Sequence, residues 1–103
     1  NPNTVQAVTN AIVRADKWIA KATPDQLVKA VPPSYFLGDK QLYIQSFLSN
    51  RPALSRDGIF PAKAPETAQK ALSVVSPQIA RARIDLSATY TNQFAEAANK
   101  RYR

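Results

Sequence analysis

The stretch NPNTVQAVTNAIVRADKWIAKATPDQLVKAVPP, residues 1–33, decides the fold class, because it holds two complete helix signatures back to back. In the first, Asn3 reads as an N-cap with Gln6 at the capping-box position three residues on. Val5, Val8, Ile12 and Ile19 then recur close to the helical period, and Ala11, Ala15 and Ala22 widen the stripe. Arg14, Lys17 and Lys21 fall in the C-terminal half, where cations complement the helix dipole. Trp18 beside the stripe reads as a packing anchor rather than a ligand-stacking ring. The second signature starts at once: Thr23 as N-cap, Pro24 at the first helical position and Gln26 closing the box. Leu27, Val28 and Val31 give this short helix an apolar side, and Pro32 and Pro33 end it.

The same grammar continues outward. Gly38 and Asp39 mark a break and a cap, after which Leu42, Tyr43, Phe47 and Leu48 share one helical face until Ser49, Asn50 and Pro52. Residues 51–65 have no periodicity. Asp57–Gly58 is a turn dipeptide, Pro61 and Pro65 punctuate the stretch, and Ile59 and Phe60 are apolar enough to fold back onto a core. Pro65 and Glu66 open a further helix with the stripe Ala68, Ala71, Leu72 and Val75, closed by Ser76 and Pro77. Residues 78–84 read equally as a helical turn or an extended connector. Asp85 or Ser87 caps the last element, with Tyr90, Phe94, Ala97 and Ala98 as its stripe and Lys100, Arg101 and Arg103 at its C-terminal end. No segment alternates with period two, so residues 1–103 are expected to form a single all-α unit of about five short amphipathic helices.

Composition narrows the chemistry. A 103-residue chain that is 45% hydrophobic and 20% charged has room for one modest core. With no cysteine and no histidine, it has no thiol chemistry, no Ser-His triad and no His- or Cys-based metal site. Its two glycines leave no phosphate-cradling loop. The net charge of +7 could serve nucleic acid or an acidic partner. However, Arg14, Lys17, Lys21, Lys29, Lys40, Lys63 and Lys70 are spread singly, and only Arg81 with Arg83 and Lys100 with Arg101 and Arg103 come close together. The seven carboxylates, Asp16, Asp25, Asp39, Asp57, Glu66, Asp85 and Glu96, are scattered, and Asp39, Glu66 and Asp85 read as caps or first-turn charges. No catalytic residue, metal ligand or cofactor is expected. Tyr43, Tyr90 and Tyr102 are the candidate ring-stacking residues, the first two better suited to packing. No apolar run reaches the length of a membrane span. A start at Asn1 and the lack of methionine suggest a processed or excised chain.

The order of these elements resembles a known family. Pro2–Ile19, PNTVQAVTNAIVRADKWI, resembles the helix that opens the C-terminal third of nitrate/sulfonate/taurine-type periplasmic solute-binding proteins, relatives of the thiamine-pyrimidine-precursor-binding proteins. TPDQLVKAVPPSYFLGDKQLYIQSF (Thr23–Phe47) is similar to the next pair of helices, and DGIFPAKAPETAQKAL (Asp57–Leu72) to a proline-bounded loop and helix. IDLSATYTNQFAEAA (Ile84–Ala98) is similar to the tail in which Tyr-Thr-Asn leads into the last helix. The resemblance implies a periplasmic parent with a two-lobed α/β fold (type II) that delivers a small solute to an ABC-transporter permease. This chain would supply only its helical C-terminal part, and no ligand-binding residue carries over. The competing function is a basic helical module binding nucleic acid or an acidic protein. Apolar faces left without a sheet also imply that the isolated chain self-associates.

Overall fold

Helix α1 begins where proline can first be tolerated. Pro2 sits at the first helical position, where its missing N–H is not needed, and the Asn1 side chain accepts from the amides of Asn3 and Thr4. The cap is therefore Asn1 and not Asn3, two residues earlier than the capping-box spacing suggests, because Pro2 already fixes helical geometry. The computed structural model describes residues 1–103 and is all-helical, with no strand. Six α-helices follow in order: α1 (Pro2–Lys21), α2 (Pro24–Ala30), α3 (Lys40–Asn50), α4 (Ala64–Val75), α5 (Pro77–Arg81) and α6 (Gln93–Arg101). Single 3-10 turns intervene at Pro33–Phe36, Arg51–Ala53 and Leu86–Ala88.

The caps are local and mostly follow the sequence. Thr23 and Gln26 exchange both bonds of a capping box at the start of α2. Asp39 accepts from the Leu42 amide at 2.8 Å to start α3. Leu37 and Gly38 both take positive φ just before it, a reversal that glycine makes easily and that leaves the Leu37 side chain in solvent. Ser76 ends α4 and caps α5, which resolves the ambiguous stretch into a five-residue helix followed by extended chain. The sixth helix beyond the expected five is this one. At the C-terminus, the Asp85 cap closes only the Leu86–Ala88 turn, since its carboxylate accepts both the backbone and hydroxyl hydrogens of Ser87. The last helix starts at Gln93 instead, so Tyr90 precedes it and is not part of its stripe.

Packing departs most from expectation on α1. Val5, Val8 and Ile12, the centre of the apolar stripe, are exposed, with Val8 at 55% and Ile12 at 54%. The side that packs against α6 is the opposite one. It buries Val13 to 1% among Ala95 and Ala98, with Ile59 packed against them. Gln6 on this face donates to the Phe94 carbonyl and to the Asn10 side chain, both at 2.9 Å, and the Lys17 ammonium donates to the Tyr102 carbonyl. On α6 the buried positions are Ala95 and Ala98, while Ala97 is exposed. Small alanines let the two helices approach closely enough for these side chain to main-chain bonds. The expected stripes of α3 and α4 are also left uncovered: Leu42, Leu48, Ala68, Ala71, Leu72 and Val75 are all exposed. Helix α3 buries nothing. Its Tyr43 meets Phe36 edge-on at 5.2 Å, and Phe47 lies under the Arg51 guanidinium at 5.4 Å.

Only six residues are buried: Val13, Ala22, Leu27, Pro65, Ala95 and Ala98. The radius of gyration is 17.7 Å, where a compact domain of this length would have about 13 Å. The helices are formed, and four of the six start on a side-chain N-cap, but they enclose little between them.

Candidate functional surface

No enclosed site emerges from this packing, and the two largest surface features are mainly apolar. The first is the bare side of α1, Val5, Val8, Ile12 and Trp18, which continues into a groove of ≈ 440 Å³ lined by Ala11, Arg14, Ala15, Trp18 and Ala30 of α2. Ala30 of α2 lines the same groove as Ala11 and Ala15 of α1. Trp18 thus lies at the edge of an open apolar trough. The second feature is a trough of ≈ 390 Å³ walled by Pro65, Ala68 and Leu72 of α4, Ile79, Ile84, Phe60 and Tyr90. Its floor is the Phe60–Tyr90 ring pair, 5.0 Å between centroids. Neither has converging polar groups of the kind that fix a small ligand.

The segment 57–60 joins these parts and is held more firmly than a turn dipeptide implies. Asn92 accepts from the Phe60 amide at 2.9 Å and donates to the Phe60 carbonyl at 3.0 Å. One helical face further on, Asn99 donates to the Asp57 carbonyl at 2.7 Å. Gly58 takes φ +70°, and a Cβ there would lie 2.9 Å from the Val13 side chain. Both the conformation and the close approach to α1 therefore require glycine. Sequence reading recognised the turn and the inward Ile59 but missed the two asparagines. Their only signal is a seven-residue spacing, two helical turns, from the residue that precedes α6 to Asn99 within it.

The titratable groups are similarly structural. Asp16 is half-buried on α1, and partial loss of solvent, followed by repulsion from Asp57, raises its pKa. Asp85 is held below the usual carboxylate range, chiefly by the Ser87 hydroxyl and then by the Ser87 amide. Asp39 caps α3, and Asp25, Glu66 and Glu96 occupy first turns. Asp57 closes its own turn by accepting from the Ile59 amide. No three acidic side chains come together as a metal site. Of the three tyrosines considered for stacking, Tyr43 and Tyr90 sit in aromatic pairs, and Tyr102 lies near the Arg101 guanidinium at 5.6 Å. Two of the 14 cations are tied inward. One is Lys17; the other is Arg51, which donates to the Ala20 and Ala22 carbonyls at the C-terminal end of α1. The remaining cations are exposed and distributed over all six helices and the connecting loops.

No helix is long and apolar enough to cross a membrane. Comparison with protein-family models, curated proteins and solved structures finds no match for the chain.

Proposed function

We propose that this chain is the helical C-terminal portion of a periplasmic solute-binding protein that serves an ABC importer, of the class that takes nitrate, sulfonates, taurine or pyrimidine precursors. Its own role is scaffold, and solute capture belongs to the two lobes of the parent, which close on the ligand because it binds the closed state better. The observation that carries this reading is the exposed surface. The chain leaves 8095 Å² accessible, where a compact monomer of 11.3 kDa leaves about 5,700 Å². A set of formed helices with that much uncovered surface is what part of a larger folded body looks like. The resemblance of Pro2–Ile19 and Ile84–Ala98 to the family supplies the identity of that body.

Two measurements test the reading. The reading frame upstream of Asn1 should encode a secretory or lipoprotein signal followed by alternating strands and helices; its absence sinks the proposal. In calorimetry, the isolated chain should give no saturable heat with nitrate, alkylsulfonates, taurine or pyrimidine precursors, whereas the parent protein should bind one of them. A micromolar signal from the isolated chain would move the site into these helices.

A further inference from the structure

Helices α1 and α6 run in the same direction, and that brings together cations which lie far apart in the sequence. Gln6 bonds to the Phe94 carbonyl near the start of both helices, Val13 packs on Ala95 and Ala98, and the Lys17 ammonium reaches the Tyr102 carbonyl at their far ends. Lys21, one turn beyond Lys17, therefore shares an end of the molecule with Lys100, Arg101 and Arg103. The middle of the chain adds two more. Arg51 donates to the Ala20 and Ala22 carbonyls, and Arg56 lines a cleft of ≈ 120 Å³ together with Arg51 and Ile19. Half of the 14 cations gather where α1 and α6 end, against Asp16, Asp57 and Glu96 on the same stretches.

Helix dipoles account for only part of this cluster. Lys17 and Arg51 are tied to main-chain carbonyls, and Lys21, Lys100 and Arg101 complement the C-terminal ends of their helices. Arg56 belongs to no helix and is exposed. Apolar side chains are interleaved with the charges. Leu48 and Leu54 line the cleft of Arg51 and Arg56 and are 38% and 45% exposed, and Trp18, beside Lys17, is 40% exposed. A second copy facing this end would set cations against cations. A nucleic-acid backbone would meet the cations but leave the leucines in water. The headgroup layer of an anionic bilayer takes both, because its phosphates meet the cations while tryptophan and leucine reach the acyl boundary. We infer that the end of the molecule formed by Lys21, Arg56 and Lys100, with Trp18 and Leu54, docks on an anionic lipid surface. Such docking goes beyond the scaffold role and is independent of which solute the parent takes.

Co-sedimentation of the 103-residue chain with vesicles tests this, at a concentration where light scattering shows the monomer. The chain should bind vesicles of phosphatidylcholine mixed with phosphatidylglycerol and not those of phosphatidylcholine alone. Trp18 is the single tryptophan, and its emission should shift to the blue on binding. Lys21→Glu, Arg56→Glu and Lys100→Glu combined should weaken partitioning by more than about tenfold. Lys29→Glu, Lys40→Glu and Lys70→Glu combined change the net charge equally but lie on α2, α3 and α4, and should weaken it far less. If the first set loses helical circular dichroism, glutamine at the same three positions gives the comparison without charge reversal. Equal loss from both sets would mean that net charge alone drives binding, and would overturn the inference. So would binding with unshifted Trp18 emission, no binding to the anionic vesicles, or a DNA duplex that displaces the chain from them and holds it more tightly.

Discussion

At the residue scale, Gly58 is the position where local conformation and tertiary contact coincide. Its φ of +70° belongs to the left-handed region, and the space a methyl would need is occupied by the Val13 side chain at 2.9 Å. Val13 cannot give way easily, because it is the one large side chain that is fully buried. Gly58→Ala therefore meets strain in the backbone and overlap in the small core together. We expect it to cost about 2–3 kcal/mol and to reduce the helical signal at 222 nm measured at 25 °C. Serine at Gly38, which also has positive φ but nothing within 4 Å of a Cβ, should cost about 1 kcal/mol. Comparable losses at the two positions would mean that the approach to Val13 is not what constrains Gly58.

At the element scale, segment 57–60 is held by α6 through amide side chains. Asn92 pairs with both main-chain groups of Phe60, and Asn99 reaches the Asp57 carbonyl. These bonds lie near solvent, so each is worth about 1 kcal/mol. Asn92→Ala should leave α6 helical while freeing the segment, seen as faster tryptic cleavage after Arg56 with unchanged cleavage after Lys29. Equal acceleration at both sites would indicate global loosening instead. The elements themselves were legible in the sequence wherever a side chain near in the chain makes the decision. The Thr23–Gln26 box, the Asp39 cap and the proline stops at Pro32 and Pro77 all formed as spaced. What was not legible was which face each helix would bury. Periodicity located the stripe of α1 correctly and assigned it to the interior, but within these residues its only long partner is α6, whose buried positions are alanines. Polar bonds from Gln6 and Lys17 to α6 carbonyls set that pairing. Such bonds depend on residues 85 and 88 positions away, a separation at which sequence pattern carries no signal. No site residue stands out either: Asp39, Asp57 and Asp85 are occupied in caps and turns, and Tyr43 and Tyr90 in ring pairs, the second of them with Phe60 thirty residues away.

At the scale of the whole molecule, the balance between ordering and burial decides how the isolated chain behaves. Fixing the backbone costs about 1–2 kcal/mol per residue, and only six residues of 103 are buried in return. The largest clusters that remain, the α1 stripe and the α4–α5 trough, face water and gain nothing until they meet another surface. Propensity and caps alone hold helices of 5 to 20 residues weakly. The isolated chain should therefore show helical circular dichroism that melts gradually, without the cooperative transition of a packed domain. It should bind a hydrophobic dye, and its light-scattering mass should rise with concentration as apolar faces meet. Raising salt should strengthen that association, because screening relieves repulsion between copies of net charge +7. A monomer that stays monodisperse at high concentration and melts in one sharp step would show that these helices close on themselves. It would remove the uncovered surface on which the fragment reading rests. Binding that weakens steeply with salt, measured against duplex nucleic acid, would instead favour the basic-module alternative, in which the exposed cations act together.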